Sequence, residues 1–437
     1  MKKWFLPRGH NKKTALKNAR IIDPETNFDQ LGDLITEDGI IKDFGSNILA
    51  PNFDQYFEKV IECNNNIVMP GIIDMHVHLR DPGQTHKEDI QSGTKAAVAG
   101  GVTTVVCQPN TTPPIDSVET LNYINKKAAE SSYARVFCYA SVTHNGKTLT
   151  DMHALKKAGA LGFTDDGMPV MNPLLMQKAF GIASDLNLLV AQHAEDLFLS
   201  DGGCINQGLV SSDLNVPGIP NIAESVMVAR DIILIGSTKA HYHVLHVSTK
   251  ESVKAVEEAK KRGLNVTCEV TPHHLLLNEE EVRGYNTLAK MNPPLRTEED
   301  RLYMIEALKN GTIDTIASDH APHEESSKNM PITDAAFGII GLETMLPLSL
   351  ELYHSGKMDL HSLLAKLTCN PAKILKLNSG RIKVGAPADL TVLDIEEEWV
   401  IDLDDSSSRS KNSPFGNKKV KGRVKNTFVG GKEVFKH

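Results

Sequence analysis

The sequence predicts an α/β fold in which a (β/α)8 (TIM) barrel carries a small β-sandwich domain built from both ends of the chain. Two observations lead to this prediction. Short strands and turns occupy both ends, whereas the long middle part alternates eight apolar strands with helical stretches or long loops. The predicted β domain comprises residues 1–66 and 379–437, and the predicted barrel comprises residues 67–378.

The two ends of the chain read as strands joined by tight turns. Near the N-terminus, "ALKNARIIDPETN" is a strand that runs into a turn at Asp23–Pro24, and "GDLITEDGIIKDFG" is a hairpin with an Asp-Gly turn. Near the C-terminus, "ADLTVLDI" alternates with period two, and "GRVKNTFVGGKEVF" is a hairpin around Gly430–Gly431. An extension of about fourteen residues precedes the first strand. The most polar window, residues 402–419 ("DLDDSSSRSKNSPFGNKK"), predicts a mobile surface loop of the β domain.

The middle part supplies the strands and helices of the barrel. In chain order, the candidate strands are "NIVMPGIIDMH", "GVTTVVCQP", "ARVFCYASV", "GALGFTDD", "NLLVAQHA", "HYHVLHVS", "NVTCEVTP" and "DTIASDH". Helices between them include "HKEDIQSGTKAAVAG", "NPLLMQKAFGIASDLN", "ESVMVARDIILIGSTKA" and "TKESVKAVEEAKKRG". Functional residues of such a barrel lie at the carboxyl ends of its strands.

Composition excludes several classes of function. Hydrophobic residues make up 41% and charged residues 23% of the 437 residues, which is ordinary for a soluble globular protein. The formal net charge of -8 argues against a nucleic-acid partner. The six cysteines form no C-x-x-C pair, which favours a reduced, cytoplasmic location. No apolar run approaches the roughly 20 residues of a membrane span, and the basic "MKKWFLPRGHNKK" is not followed by a signal-peptide core.

Histidines and aspartates collect at the predicted strand ends. They are His76 and His78 after strand one, Asp165 and Asp166 after strand four, His193 after strand five, His246 after strand six, and Asp319, His320 and His323 after strand eight. One histidine at a strand end is usually structural, but convergence of this many imidazoles and carboxylates on one rim indicates a zinc-type metal site. The groups exceed the needs of one four-coordinate ion, so two ions sharing a bridging ligand are expected.

Arg80 follows His78 at the next alternate position and is therefore expected to point the same way. A guanidinium can hold a carboxylate with two parallel hydrogen bonds, which fixes its orientation as well as its charge. The structural alternative is a surface ion pair with Asp81 or Glu88.

Two longer motifs, "DMHVHLRDPG" and "ASDHAPH", resemble the signatures of the dihydroorotase family within the amidohydrolase superfamily. The resemblance extends to "PNTTPPID", "HAED", "HVST", "MNPPLR" and "FGIIGLET". It implies the reversible cyclisation of N-carbamoyl-L-aspartate to L-dihydroorotate with loss of water, a step of pyrimidine biosynthesis that uses a zinc-bound hydroxide. The "TDDG" at residues 164–167 is similar to the bacterial type I enzymes, in which a carboxylate bridges the metals where other members use a carboxylated lysine.

The resemblance also implies a role for individual residues. His76, His78 and Asp319 would hold the first zinc ion, His193 and His246 the second, and Asp166 would bridge the two, while Asp319 would also act as general acid and base. The substrate would contact His78, Arg80, Asn110, Asn292, His323 and the backbone of Phe337 and Gly338. His320, His273 and His274 are weaker candidates, explained equally well by packing. Lys156 and Lys157 lie in a helical stretch and should face solvent, so no lysine bridge is expected.

Two alternatives remain open at this stage. Dihydropyrimidinases, hydantoinases and allantoinases share the barrel and cyclic-amide chemistry, but they usually carry a lysine where this chain has "FTDD" and need no arginine at position 80. A non-catalytic partner of aspartate transcarbamoylase would have lost metal ligands, whereas this chain retains every one. An active enzyme can still bind that transcarbamoylase or form a homodimer.

Overall fold

The computed structural model describes residues 13–437, so most of the N-terminal extension lies outside the described residues. The strands are β1 (Lys13–Asp23), β2 (Phe28–Glu37), β3 (Ile40–Gly45), β4 (Lys59–Glu62), β5 (Ile67–Pro70), β6 (Ile72–Val77), β7 (Val102–Cys107), β8 (Arg135–Cys138), β9 (Thr143–His144), β10 (Thr148–Leu149), β11 (Leu189–Gln192), β12 (Ile205–Asn206), β13 (Gly218–Ile219), β14 (His241–Val244), β15 (Val266–Val270), β16 (Thr315–Ile316), β17 (Leu390–Val400), β18 (Lys419–Val429) and β19 (Lys432–Lys436).

The α-helices lie mainly between the barrel strands. They are α1 (Ile90–Ala99), α2 (Val118–Ser131), α3 (Met152–Ala158), α4 (Pro173–Asp185), α5 (Leu209–Leu214), α6 (Asn221–Ile235), α7 (Lys250–Lys261), α8 (Pro272–Leu276), α9 (Glu298–Lys309), α10 (Glu325–Lys328), α11 (Met345–His354), α12 (Leu360–Leu367) and α13 (Cys369–Leu375). Short polar side chains begin many of them. Asp89 accepts a hydrogen bond from Ser92 N at the start of α1, and Thr249 does the same for Ser252 N at α7. Among the helices of residues 13–437, none combines the length and apolarity that a membrane crossing requires.

Strands from both termini form one sheet, which confirms the prediction of a β domain assembled from the two ends. Its order is β19-β18-β17-β5-β1-β2-β3, with β4 paired to β1. The predicted hairpins are present as β2–β3 and β18–β19. Its core contains Leu16, Ile21, Val68, Leu390 and Phe428. Strand β5, which follows the predicted boundary at residue 66, pairs with β1 and β17 and so belongs to this sheet.

Eight parallel positions close into the predicted barrel. The pairs β6–β7, β7–β8, β11–β14, β14–β15 and β15–β16 are all parallel. The fourth position is reduced to Phe163, which bridges Ala140 on one side and Val190 on the other. A parallel bridge between Val77 and His320 closes the ring. Strands β6 and β7 are buried at every residue, since barrel strands are covered on both faces.

The segment over residues 402–419, predicted as a mobile surface loop, is an irregular segment that exposes some side chains and buries others. Residues 402–418, named the strap below, leave the terminal sheet after β17 and pack against the loop that follows β6. Ser408 Oγ and Arg409 N donate to the buried Glu88 carboxylate, and Ser410 Oγ donates to Lys87 O over 2.6 Å. Ser408, Ser410 and Asn412 are all buried. The polarity of this segment therefore reflects both exposed side chains, such as Asp404 and Asn417, and buried ones held by hydrogen bonds.

Candidate metal centre and substrate site

The six predicted ligand residues meet at the carboxyl ends of the barrel strands. Each lies at a strand end or within a few residues of one, and each is almost completely buried: His76, His78, Asp166, His193, His246 and Asp319. Strand β6 ends at Val77, so its alternation directs His76 inwards and His78 continues on the same side. Parallel strands bring their carboxyl ends to one rim, which explains how residues far apart in the chain become neighbours.

Asp319 faces the two histidines of the first strand. Its Oδ1 lies 3.0 Å from His78 Nε2 and 3.3 Å from His76 Nε2. Burial by itself would raise the pKa of Asp319, but the positive field of His76 and the hydrogen bond to His78 outweigh it and hold that pKa below its ordinary value. Asp319 is therefore ionised at neutral pH.

Asp166 lies between two pairs of histidines. Its Oδ2 is 3.4 Å from His76 Nε2 and 3.5 Å from His78 Nε2. Its Oδ1 is 3.6 Å from His193 Nδ1 and 3.5 Å from His246 Nε2. One carboxylate thus presents an oxygen to each pair, which is the arrangement required of a ligand shared by two cations.

Hydrogen bonds behind the cluster determine which imidazole nitrogen faces it. His76 Nδ1 lies 2.6 Å from Glu269 Oε1, and His78 Nδ1 lies 2.9 Å from Asn110 Oδ1. Burial raises the pKa of Glu269, but His76 and His243 outweigh it and lower that pKa to about 2. Both Nδ1 atoms therefore donate, which leaves each Nε2 facing the cluster, where its lone pair would bind a cation in place of a proton.

The interior of the cluster fits a cation. Among the described residues, His76 Nε2 and Asp166 Oδ1 are buried without a hydrogen-bond partner, although buried polar atoms are normally paired. Burial lowers the pKa of His193, but Asp166 and Glu195 outweigh it and raise that pKa to about 10. The carboxylates thus favour positive charge at this place, either as a proton on an imidazole or as a cation that replaces it. Three combinations of these side chains bring their ligand atoms within 4.8 Å of one another. Mixed imidazole and carboxylate donors suit zinc and similar divalent ions.

Arg80 lies beside this cluster and is only 7% exposed. Its Nε donates to Pro322 O over 3.3 Å, and its Nη2 lies 3.3 Å from His323 Nε2. Within residues 13–437 it has no carboxylate partner, so the alternative of a surface ion pair is wrong. Of the two acids proposed for that pair, Asp81 accepts from Tyr123 Oη and Glu88 pairs with His320.

The direction of Arg80 is not set by strand alternation, since β6 ends at Val77. Arg80 instead adopts a left-handed conformation with φ 58°, which turns the chain and brings the guanidinium towards His323. Burial lowers the pKa of Arg80, because removing the guanidinium from water disfavours its charge.

The predicted asparagines lie against histidines of the cluster. Asn110 accepts from His78, and Asn292 Nδ2 donates to Glu195 Oε2 over 2.9 Å while lying 3.3 Å from His193 Nε2. Glu195, which the sequence reasoning missed, is itself 2.9 Å from His193 Nε2. Its place two residues after His193 in "HAED" was the available signal.

In the described part of the chain, hydrogen bonds within the fold use the backbone of Gly338 but not that of Phe337. Gly338 N donates to Lys290 O over 3.1 Å, and Gly338 O accepts from Lys328 Nζ and Asn412 Nδ2, each over 3.0 Å. The half-buried Phe337 makes no backbone hydrogen bond within the described residues. A substrate that uses this backbone would therefore meet Phe337 rather than Gly338.

Comparison with known proteins identifies the family. Residues 65–252 match the family model described as dihydro-orotase-like, and residues 288–435 match the amidohydrolase family model. A dihydroorotase of Ehrlichia chaffeensis is 56% identical over 97% of this chain and 95% of its own length. A dihydroorotase of Geobacter metallireducens is 46% identical over 96% of this chain and 99% of its own. The chain belongs to the dihydroorotase family.

Solved structures agree with the fold of this dihydroorotase family member. The L-hydantoinase (dihydropyrimidinase) from Arthrobacter aurescens superposes with a TM-score of 0.87, at 25% identity over 97% of this chain and 96% of the other. A D-hydantoinase superposes with a TM-score of 0.84 at 24% identity over 97% and 95%, which supports the barrel alone. Hydantoinases are structural neighbours, whereas the close sequence relatives are dihydroorotases. The family therefore makes the chain a dihydroorotase, a cyclic amidohydrolase with a small-molecule substrate, and the alternatives are not favoured. Family and cluster together also indicate a metal cofactor.

Two of the weaker candidates, His320 and His274, make their hydrogen bonds outside the cluster. His320 Nε2 contacts Glu88 over 3.2 Å, and its Nδ1 accepts from Gly341 N over 3.1 Å. His274 contacts Thr271 Oγ1 over 2.8 Å and Pro293 O over 3.0 Å. His320 and His274 therefore serve the packing of the rim.

Glu269 is a further residue that sequence reasoning missed. It lies fully buried in β15, and its carboxylate contacts both His76 Nδ1 and, over 3.2 Å, His243 Nε2. A charged residue inside the otherwise apolar "VTCEV" was the available signal. The ion pair between Glu269 and His76 indicates that Glu269 orients this predicted metal ligand.

Glu269→Gln is expected to weaken binding of a divalent metal ion by about 10–100-fold, because the amide is a poorer acceptor for His76 Nδ1–H and no longer fixes its tautomer. Competition with a chelator measures the affinity. Glu306→Gln, on the surface of α9, makes the same chemical change as a control. An unchanged affinity would show that Glu269 does not support the metal site.

Proposed function

We propose that the chain interconverts N-carbamoyl-L-aspartate and L-dihydroorotate at this rim, with two zinc ions in the cluster, Arg80 on the substrate carboxylate and Asp319 moving the proton. The observation that carries this assignment is the buried Arg80 guanidinium, which has no carboxylate partner within residues 13–437 and lies beside the ligand cluster. Substrate and product both carry a carboxylate that does not react, and it would complete the pairing of this buried charge.

The cluster offers a complete set of ligands for two ions. His76, His78 and Asp319 would hold one ion, His193 and His246 the other, and Asp166 would contribute one oxygen to each. When bound, the metal pair supplies an activated water and polarises the amide carbonyl. The separate contacts of the two Asp166 oxygens support this division.

Asp319 is the proposed general acid and base. In hydrolysis, water adds to the ring amide carbonyl, and the carbon–nitrogen bond of the ring then breaks. The ionised Asp319 takes the proton that the water loses and gives it to the departing amide nitrogen, so no proton is lost or gained. In the synthetic direction the same carboxylate takes the proton from the carbamoyl nitrogen as the ring closes.

Neighbouring groups would fix the position of the substrate. His323, 3.3 Å from Arg80, can share the substrate carboxylate, and Asn110 and Asn292 lie at the histidines on either side of the cluster. The backbone of Phe337 supplies a further donor and acceptor. Together these groups would hold the reacting carbonyl against the metal pair, which is the positioning that an amide hydrolysis requires.

Arg80→Met is expected to raise KM for dihydroorotate about ten- to a hundredfold, since a hydrogen bond to a charged group contributes about 1.5–3 kcal/mol. Hydrolysis of a hydantoin without a carboxylate should change far less. Steady-state kinetics on both substrates measure the effect, with Arg262→Met at an exposed position as control. Equal losses on both substrates would remove the recognition role of Arg80.

The proposed function is tested by assaying hydrolysis of dihydroorotate by the purified, zinc-loaded protein, with hydantoin and allantoin as comparison substrates. Dihydroorotate should be hydrolysed at a much higher kcat/KM than either, and metal analysis should find two zinc ions per chain. Preference for hydantoin would contradict the proposal, and one zinc ion per chain would contradict the shared role of Asp166.

Location and assembly complete the proposal. All six cysteines are buried and unpaired, which supports a reducing, cytoplasmic location. The family resemblance leaves a homodimer and a complex with aspartate transcarbamoylase as the two assemblies. Sedimentation of the protein alone, and then mixed with that transcarbamoylase, distinguishes them.

A further inference from the structure

The strap places the buried side chain of Asn412 against one wall of the proposed substrate site. This wall consists of the segments around His323 and around Phe337–Gly338. Asn412 is 3% exposed, and its Oδ1 accepts from His323 N over 3.0 Å. Its Nδ2 donates to Ala321 O over 2.9 Å and to Gly338 O over 3.0 Å. The backbone carbonyl of Asn412 accepts a further hydrogen bond from Ile340 N over 2.9 Å. Both hydrogens of the amide and its oxygen are therefore used.

These contacts join two separate parts of the wall. His323 follows the last barrel strand and lies against Arg80, while Gly338 belongs to the later segment that presents the Phe337 backbone. The side chain of Asn412 hydrogen-bonds to both segments and so fixes their separation. Movement of either segment would shift the groups proposed to hold the substrate.

The strap is also attached to the loop that carries Arg80. Arg409 pairs with Asp89, and its Nη1 donates to Thr85 O over 2.6 Å. Ser408 and Arg409 N meet the buried Glu88 carboxylate nearby. Asn412 is therefore held by a segment of the terminal sheet that is itself anchored to the first barrel loop.

We propose that Asn412 is a positioning residue for substrate recognition, through which the terminal β domain sets the geometry of the His323 and Phe337–Gly338 wall. This inference rests on the proposed function, because it assigns a purpose to the wall only if Arg80 and His323 bind the substrate carboxylate. An asparagine is required by the pattern of partners. Aspartate would face Ala321 O and Gly338 O with an acceptor. Alanine would remove the partner of His323 N and of Ala321 O, and it would leave Gly338 O with Lys328 Nζ alone.

The test compares Asn412→Asp and Asn412→Ala with the parent, using Asn417→Asp as a matched control. Asn417 lies in the same strap with its side chain exposed, so it receives the same charge change without the contacts. KM for dihydroorotate is expected to rise about ten- to a hundredfold in both Asn412 variants, because small displacements of binding groups have effects of this size. Zinc content and kcat should change much less, and the control should match the parent.

Amide hydrogen exchange of the full chain supplies a readout that does not depend on turnover. Exchange over residues 321–340 should be faster in Asn412→Ala than in the parent. Faster exchange with an unchanged KM would overturn the positioning role, as would loss of zinc or failure of both variants to fold, since Asn412 would then serve only the fold. If the parent itself did not hydrolyse dihydroorotate, the proposed function would fail, while exchange would still report on the contact of Asn412 with the wall.

Discussion

Asp319→Asn is expected to lower kcat for dihydroorotate hydrolysis by about 10²–10⁴-fold, the usual contribution of a positioned general acid or base. Asp319 is buried, lies 3.0 Å from His78 Nε2, and has a pKa below the ordinary value. Asparagine keeps the shape and one oxygen but cannot carry a proton between the water and the amide nitrogen. Single-turnover kinetics at saturating substrate measure the chemical step.

Loss of metal has to be separated from loss of the proton shuttle. Zinc content is therefore measured on the same preparations, and Asp185→Asn, at the exposed end of α4, controls for the substitution itself. A zinc-loaded Asp319→Asn protein with activity within about tenfold of the parent would contradict the acid–base role, because that loss is smaller than such groups normally contribute.

Asp166→Ala is expected to abolish binding of the second zinc ion and with it nearly all activity. Two cations held close together repel, and only a shared anion offsets that repulsion. The two oxygens of Asp166 face different histidine pairs, so its removal deprives both ions of a ligand. Metal analysis after dialysis of the variant is expected to give one zinc ion per chain or fewer.

The neighbouring aspartate provides the comparison. Asp165 accepts hydrogen bonds from Thr143 N and Thr143 Oγ1 instead of facing the histidines, so Asp165→Asn should keep both ions. Lys156 and Lys157 are exposed on α3, as predicted, and reconstitution of the metal-free protein with zinc should be independent of bicarbonate. Stimulation by bicarbonate, or a carboxylated lysine between the ions, would contradict the role of Asp166 as the bridge.

The convergence of these histidines and aspartates could be predicted from the sequence because it follows from the topology of the barrel. A residue that directly follows a strand, such as His193, has its location determined by the strand, and parallel strands share one rim. Strand geometry did not predict the direction of side chains that lie beyond a turn after the strand. Arg80 reaches His323 through a left-handed residue rather than by strand alternation, and strand four contributes only Phe163 to the ring before the chain turns towards Asp166.

By itself, the sequence determined the barrel, the terminal β domain, the family and the residues that converge at the rim. These features are local, since they depend on periodicity, turn residues and short motifs. Only the tertiary structure decided that Glu269 lies behind His76, that Arg80 is buried with no carboxylate partner in the described part of the chain, and that Asn412 reaches the wall of the site. Those contacts join residues separated by many positions, and polarity alone does not distinguish a side chain in water from one buried in hydrogen bonds, as the strap illustrates.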